Sequence, residues 1–146
     1  MNWKKIIVSG LVAGLVAFIV GSLLYMNPLV ADIYAQEGTW AGAKPMDEFG
    51  GLGNWMLLMF AGGIVAAVFI ALLYSYTEKG IDIKSTWKKG ALYGFLFWLA
   101  TAPQAHFNVW LMYNVPDILN QIELVNSLIG SLALGITLAI VYEKVK

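Results

Sequence analysis

Four apolar runs, each long enough for an α-helix to cross a lipid bilayer, constrain the fold of this chain more than any other feature. A helix needs about 20 consecutive apolar residues to cross about 30 Å of hydrocarbon. We predict spans at about 5–26, 52–76, 88–109 and 120–143. A spanning chain must satisfy its backbone polar groups internally, which a helix does by itself. The sequence therefore predicts an all-α polytopic membrane protein, with a single transmembrane domain at 1–146 that forms a four-helix bundle.

The composition agrees with lipid as the surrounding solvent. Hydrophobic residues make up 60% of the chain, charged residues 12%, and the mean hydropathy is +0.72. Soluble domains carry about 25% charged residues. The absence of cysteine excludes disulfides, thiolate metal sites and cysteine nucleophiles. A lone histidine then makes a metal site improbable, and we expect neither metal nor cofactor. Zero net charge and the absence of arginine argue against a nucleic-acid partner.

The first apolar run resembles a secretory signal peptide in position but not in length. It exceeds the core of about 7–15 residues that signal peptides have, and no clean A-x-A cleavage motif follows it. We predict a retained first helix. Asn27-Pro28 then forms a typical helix start, and apolar residues recur at amphipathic spacing, which predicts a short interfacial helix at about 28–37. Glycines around Trp40 and at 50–53 indicate either a lid or a plain surface loop.

The lysines predict the topology. Eight of the nine lie at the termini or in the loop between the second and third spans, and only Lys44 lies elsewhere. Short cytoplasmic loops collect positive charge, so we predict that both termini are cytoplasmic and that the protein lies in the cell (inner) membrane. Acidic residues predominate in the two opposite loops: Asp32, Glu37, Asp47, Glu48 and Asp117.

A weak internal repeat accompanies this pattern. Trp3-Lys-Lys5 begins the first hairpin and Trp87-Lys-Lys89 begins the second. Two repeated hairpins, related by an axis along the membrane normal, would produce such a correspondence. Tryptophan and lysine are also the residues that any membrane interface recruits. Duplication and coincidence therefore both stay open.

The polar stretch 101–110, within the third span, is the strongest candidate for a site because Pro103, Gln104, His106 and Asn108 fall together in an otherwise apolar chain. A proline inside a helix removes one backbone donor and kinks or breaks the helix. On an unbroken helical wheel, Gln104 and Asn108 lie on or near the glycine face and are predicted to point into the bundle. His106 falls nearly opposite, so it joins them only if the helix breaks at Pro103.

The fourth span supplies a counterpart at about the same depth, near the outer interface. Ionisable residues in membrane helices are functional candidates by default, and histidine changes charge near neutral pH. A purely structural alternative stays open, with the imidazole solvated at headgroup depth and the carboxylate stabilising a helix N-terminus. We predict an outward-open ligand-binding pocket rimmed by Gln104, His106, Asn108, Glu123 and Asn126.

Two segments carry a resemblance to a known family. They are Met1-Asn-Trp3 with Gly21-Ser-Leu-Leu-Tyr-Met-Asn-Pro-Leu29, and the run from Gly90-x-x-x-Gly94 to Trp98. They resemble small four-helix prokaryotic membrane proteins of an uncharacterised domain-of-unknown-function family, and the likeness spans most of the chain. Those relatives commonly have Trp-Tyr-Ser-Pro where this chain has Leu24-Tyr-Met-Asn-Pro28. Since the family has no settled activity, the resemblance implies architecture only.

Three classes of function are compatible with the sequence. We expect a non-enzymatic membrane protein that binds a partner protein, a small ligand or a lipid at its outer face, as a homo-oligomer or an accessory subunit of a larger complex. A small oligomeric transporter or channel is the alternative, although the inner halves of the spans contain almost no ionisable residue. A lipid- or quinone-acting enzyme would use His106 and Glu123 as acid and base. Because no nucleophile or phosphate-loop motif is present, we lean away from an enzyme.

Overall fold

The computed structural model describes residues 2–37 and 44–146. The glycines around Trp40 lie in the segment outside these residues, and so does that part of the predicted lid or loop. The described chain is all-helical, with 3-10 turns before the third helix and after it. Its five helices are α1 (Trp3–Tyr25), α2 (Pro28–Glu37), α3 (Leu52–Thr77), α4 (Thr86–Met112) and α5 (Asp117–Lys144).

Local sequence explains where these helices begin. The Asn2 side chain caps α1 by accepting from the Lys5 backbone N–H at 3.2 Å. The Asn27 side chain accepts from the Leu29 backbone N–H at 3.0 Å, directly before α2, whose first residue is a proline. Two glycines with positive φ, Gly50 at 79° and Gly51 at 97°, directly precede α3. Other residues rarely adopt this conformation.

Three of the four predicted spans are long and apolar enough to cross a membrane by length and composition: α1, α3 with its following turn, and α5. α4 has 27 residues, which is sufficient length, but it is not among the three. Its second half carries the polar residues of the 101–110 stretch, which lower its hydropathy. The chain is therefore a helical membrane protein with three clear span candidates.

The long helices pack in the order α3, α1, α5, α4, because α1 contacts α3 and α5 while α5 also contacts α4. α3 and α4 approach each other through two tyrosines. The rings of Tyr74 and Tyr93 lie edge to face with centroids 4.9 Å apart, and the Tyr93 hydroxyl donates to the Ile70 carbonyl at 2.9 Å. The two hairpins thus differ in their neighbours, since α1 packs along α5 whereas α3 and α4 meet at one end.

The tightest packing lies in the half of the molecule that holds the two termini. Ile6, Ala13 and Leu138 are completely buried there. Glycines bring the helix backbones together, because a Cβ on Gly10 would lie 2.7 Å from the Val68 Cα. Gly90 and Gly135 are closer still, as a Cβ on either would lie 2.4 Å from the carbonyl oxygen of the other. This half is consequently a close-packed helical core.

The opposite half is more open. A Cβ added at Gly21, Gly62, Gly63 or Gly130 would meet nothing within 4 Å. Large apolar side chains such as Leu57 are also exposed around the helices. Exposed apolar surface of this extent is what a helix presents to lipid rather than to water. The open half is the half that carries the candidate site.

Candidate functional site

In the open half of the molecule, Glu123 of α5 accepts hydrogen bonds from two tyrosines. The Tyr25 hydroxyl, at the end of α1, donates to one of its carboxylate oxygens, and the Tyr34 hydroxyl of α2 donates to the other. The two tyrosine rings lie edge to face with centroids 5.8 Å apart. Three helices are therefore tied together at one acidic side chain.

The tyrosines serve as donors in this cluster because they keep their protons. Burial, followed by the hydrogen bond to Glu123, raises the pKa of the Tyr34 hydroxyl well above its usual value. A carboxylate offers about four lone-pair sites over its two oxygens. After accepting from two hydroxyls, Glu123 still has capacity for donors from a ligand.

His106 of α4 is held by Asn120 of α5 through two contacts. The Asn120 Nδ2 donates to the His106 backbone carbonyl at 3.1 Å, and its Oδ1 lies 2.8 Å from the His106 Nδ1. Because the amide nitrogen is engaged by the carbonyl, the amide oxygen must accept, so Nδ1 carries the proton. The other ring nitrogen, Nε2, then has its lone pair free to accept from a ligand.

This arrangement reverses the predicted orientation of the polar stretch. α4 is continuous from Thr86 to Met112 with Pro103 inside it, so the helix does not break there. His106 nevertheless contacts α5, whereas Gln104 and Asn108 are exposed and bond to each other, Nε2 to Oδ1, at 2.9 Å. The prediction that Gln104 and Asn108 point into the bundle is therefore wrong.

The reason is that the α4 contact row does not run parallel to the helix axis. Gly90, Gly94, Trp98 and His106 are separated by multiples of four residues, and each lies against α5. A row of fourth residues turns about 40° around the helix per step, since each residue advances about 100°. Four steps after Gly90, the side of α4 that faces α5 is therefore the side that carries His106. The α5 residues in contact are Gly135, Ser131, Ser127 and Asn120.

Asn126 lies next to the cluster but not in the same cavity. Its side chain is close to Tyr25, and its Nδ2 is buried without a hydrogen-bond partner. A buried unpaired donor costs about 1–3 kcal/mol, so the Asn126 amide destabilises the region beside the Glu123 cluster.

An open groove of about 600 Å³ connects Glu123 with His106. Of the five predicted site residues, these two line it, whereas Gln104, Asn108 and Asn126 do not. Its walls are largely apolar, and its polar groups lie where α2, α4 and α5 meet. The lining residues are Tyr34, His106, Val109, Tyr113, Val115, Leu119, Asn120 and Glu123.

Sequence reasoning missed three partners, namely Tyr25, Tyr34 and Asn120. Tyrosines near span ends are ordinary interface anchors, so their role appears only when α2 folds back beside α5. Asn120 precedes Glu123 by one helical turn, and that spacing was the available signal. Within the described residues, no group of three or more His, Cys, Asp or Glu side chains is placed to hold a metal ion.

Together, the fold and the groove define a helical membrane protein. The groove lies at one end, its walls are largely apolar, and it contains a few polar groups. Residues 8–139 match a family described as Protein of unknown function (DUF1761). The chain belongs to this DUF1761 family, in agreement with the resemblance to an uncharacterised family. Comparisons with curated proteins and with solved structures return no match.

Proposed function

We propose that this protein is a non-enzymatic membrane protein that binds a small amphiphile in the groove at its outer face. The observation that carries the proposal is the Glu123 carboxylate, bonded by two tyrosines and placed in the same groove as His106. Ligand sites are typically apolar concavities with a few convergent polar groups, and this groove fits that description.

The chemistry of the groove selects the kind of head group. Glu123 accepts hydrogen bonds, and the free His106 Nε2 accepts as well. A ligand head must therefore donate, as an ammonium or a hydroxyl does. The apolar walls, which include Val109, Val115 and Leu119, suit a hydrocarbon tail.

The charge distribution favours an ammonium over a hydroxyl. The end of the molecule that contains the groove has a formal charge of −5, from six acidic residues and one lysine. These are Asp32, Glu37, Asp47, Glu48, Asp117, Glu123 and Lys44. Such a charge attracts cations over a distance set by the Debye length, about 8 Å at physiological ionic strength. We infer that the ligand is a long-chain amine or an amine-bearing lipid.

The packing supports binding over transport. Ile6, Ala13 and Leu138 have no exposed surface in the half with the termini, and the helices there are in backbone contact at Gly90 and Gly135. A transporter whose path runs inside a single chain needs polar groups through that half. The described residues form a close-packed apolar core there instead.

The proposal includes four spans with both termini cytoplasmic. At about 1.5 Å per residue, α4 is long enough to cross the hydrocarbon. It lies beside α5 from Gly90 to His106. The lysine-rich end would face the cytoplasm. Open glycines such as Gly62 and Gly63 support association with a second copy or a larger complex, because small residues favour helix contact in lipid.

A binding experiment tests the ligand class. The purified chain in nanodiscs is dialysed against a radiolabelled long-chain amine, alcohol or carboxylate of equal tail length, and empty nanodiscs correct for partitioning into lipid. We expect the amine to bind most tightly. A hydrogen bond to a charged group contributes about 1.5–3 kcal/mol, so Glu123→Gln should weaken amine binding about ten- to hundredfold.

Gln104→Ala is the matched control, because Gln104 lies on α4 at a similar depth but outside the groove. It should leave amine binding unchanged. Equal binding of all three probes, or Glu123→Gln without effect, would overturn the proposal.

A further inference from the structure

A second cavity lies at the opposite end of the molecule, where the ends of the four long helices meet. It has a volume of about 220 Å³. We call it the lysine cup, because three lysines from two different segments converge on it. Its lining includes the side chains of Lys5, Lys84 and Lys89, the carboxylates of Glu78 and Glu143, and the hydroxyl of Thr86. None of these residues belongs to the outer groove.

Two ammonium groups of the cup are held in place without a carboxylate contact. The Lys5 Nζ lies 5.5 Å from the centre of the Tyr142 ring, a cation–π distance. The Lys89 Nζ donates to the Glu78 backbone carbonyl at 3.2 Å. An ammonium has three donors, so Lys89 can still bond to an anion. Both lysines are partly buried.

The two glutamates of the cup do not neutralise it. The Thr86 hydroxyl donates to the Glu143 carboxylate, and Glu78 engages Lys89 through its backbone. Three lysines against two glutamates leave the lining with a formal charge of +1. The whole end of the molecule carries eight lysines against three acidic residues, a surplus of +5.

The depth of the cup suits a lipid headgroup. Trp3 and Trp87 are exposed at this end of the molecule, and exposed tryptophans mark the level of the membrane interface. In the topology proposed above, on which this step rests, this end faces the cytoplasm, where basic pockets between membrane helices bind anionic headgroups.

We propose that the lysine cup binds a phosphate group at the membrane surface, supplied either by an anionic phospholipid headgroup or by a free phosphate. Lys5, Lys84 and Lys89 provide the charge. Tyr74 and Tyr142 line the same cavity and supply neutral hydroxyl groups near the anion. The site is separate from the outer groove, so the loss of one need not affect the other.

Native mass spectrometry of the full chain tests this proposal. Protein extracted from nanodiscs containing equal amounts of phosphatidylglycerol and phosphatidylcholine should retain phosphatidylglycerol preferentially. Lys5→Gln with Lys89→Gln should reduce that retention about tenfold. Lys79→Gln with Lys146→Gln removes the same charge outside the cup and should have little effect. Lys84→Gln, at an exposed side chain, should give a smaller loss with the fold intact.

Competition distinguishes the two sources of phosphate. If glycerol phosphate or inorganic phosphate displaces the lipid and binds alone, a free phosphate is the ligand. If neither competes at millimolar concentration, the lipid is the ligand. Equal retention of the two lipids by the native chain would overturn the proposal. So would a loss of lipid in the Lys79 and Lys146 double variant as large as the loss in the Lys5 and Lys89 double variant.

Discussion

The contact between α4 and α5 at Gly94 gives a sharp test of the packing. A Cβ added at Gly94 would lie 2.2 Å from the Ser131 carbonyl oxygen and 3.0 Å from its carbonyl carbon. Both atoms belong to the backbone, so no side-chain rotation can relieve the clash. In Gly94→Ala the two helices must separate by roughly 1 Å to restore ordinary contact. The same separation would disturb the Trp98 hydrogen bond to Ser127, one step further along the row.

Two opposing effects determine how much Gly94→Ala changes the free energy of unfolding. Overpacking of a tight interface costs about 1–3 kcal/mol. Replacing glycine by alanine within a helix recovers about 0.5–1 kcal/mol. We therefore expect Gly94→Ala to lower the free energy of unfolding by about 1–2 kcal/mol.

Gly130→Ala is the control, because a Cβ there meets nothing within 4 Å. This variant should be neutral or stabilised by up to about 1 kcal/mol. The assay is reversible unfolding in mixed micelles with increasing dodecyl sulfate, followed by far-ultraviolet circular dichroism. If Gly94→Ala proves as stable as Gly130→Ala, the close backbone contact between α4 and α5 is not present.

Two further predictions concern the tyrosine cluster and the topology. The raised pKa of Tyr34 means that the folded state favours its protonated form, so this stabilisation is complete below pH about 10 and declines progressively as the pH rises further. Tyr34→Phe should thus be less stable than the native chain at pH 8, and the difference should shrink by pH 11; a constant difference would contradict the burial of the Tyr34 hydroxyl beside Glu123. Because the chain has no cysteine, single cysteines report sidedness. Asp82→Cys should react with an impermeant maleimide only after the cells are opened, and Asn114→Cys in intact cells; labelling of both from one side would show that α4 does not cross.

Most of the helical framework follows from the sequence, because span length and hydropathy are properties of the chain itself. The sequence also predicts α2, since a proline at its first position and an asparagine before it act locally. α4 is less apolar than the other long helices, so three rather than four helices are apolar enough to count as spans. The order α3, α1, α5, α4 could not be predicted, because it depends on which glycine faces meet.

The site was only partly predictable, for a geometric reason. A helical wheel assumes that the contact face runs along the axis, and this assumption places Asn108 beside Gly90. Helices that meet through small residues at every fourth position contact along an inclined row. That row brings His106 to α5 without a break at Pro103. Glu123 was identifiable as an ionisable residue in a span, but its tyrosine partners come from elements distant in sequence.

Amine binding in the groove is best tested by a crystal structure of the chain grown in a lipid phase with a long-chain amine. We expect density in the outer groove, with the amine nitrogen within hydrogen-bond distance of a Glu123 carboxylate oxygen and the tail between Val109 and Leu119. A groove closed by protein side chains, or an amine that binds elsewhere while Tyr25 and Tyr34 point away from Glu123, would contradict amine binding in this groove.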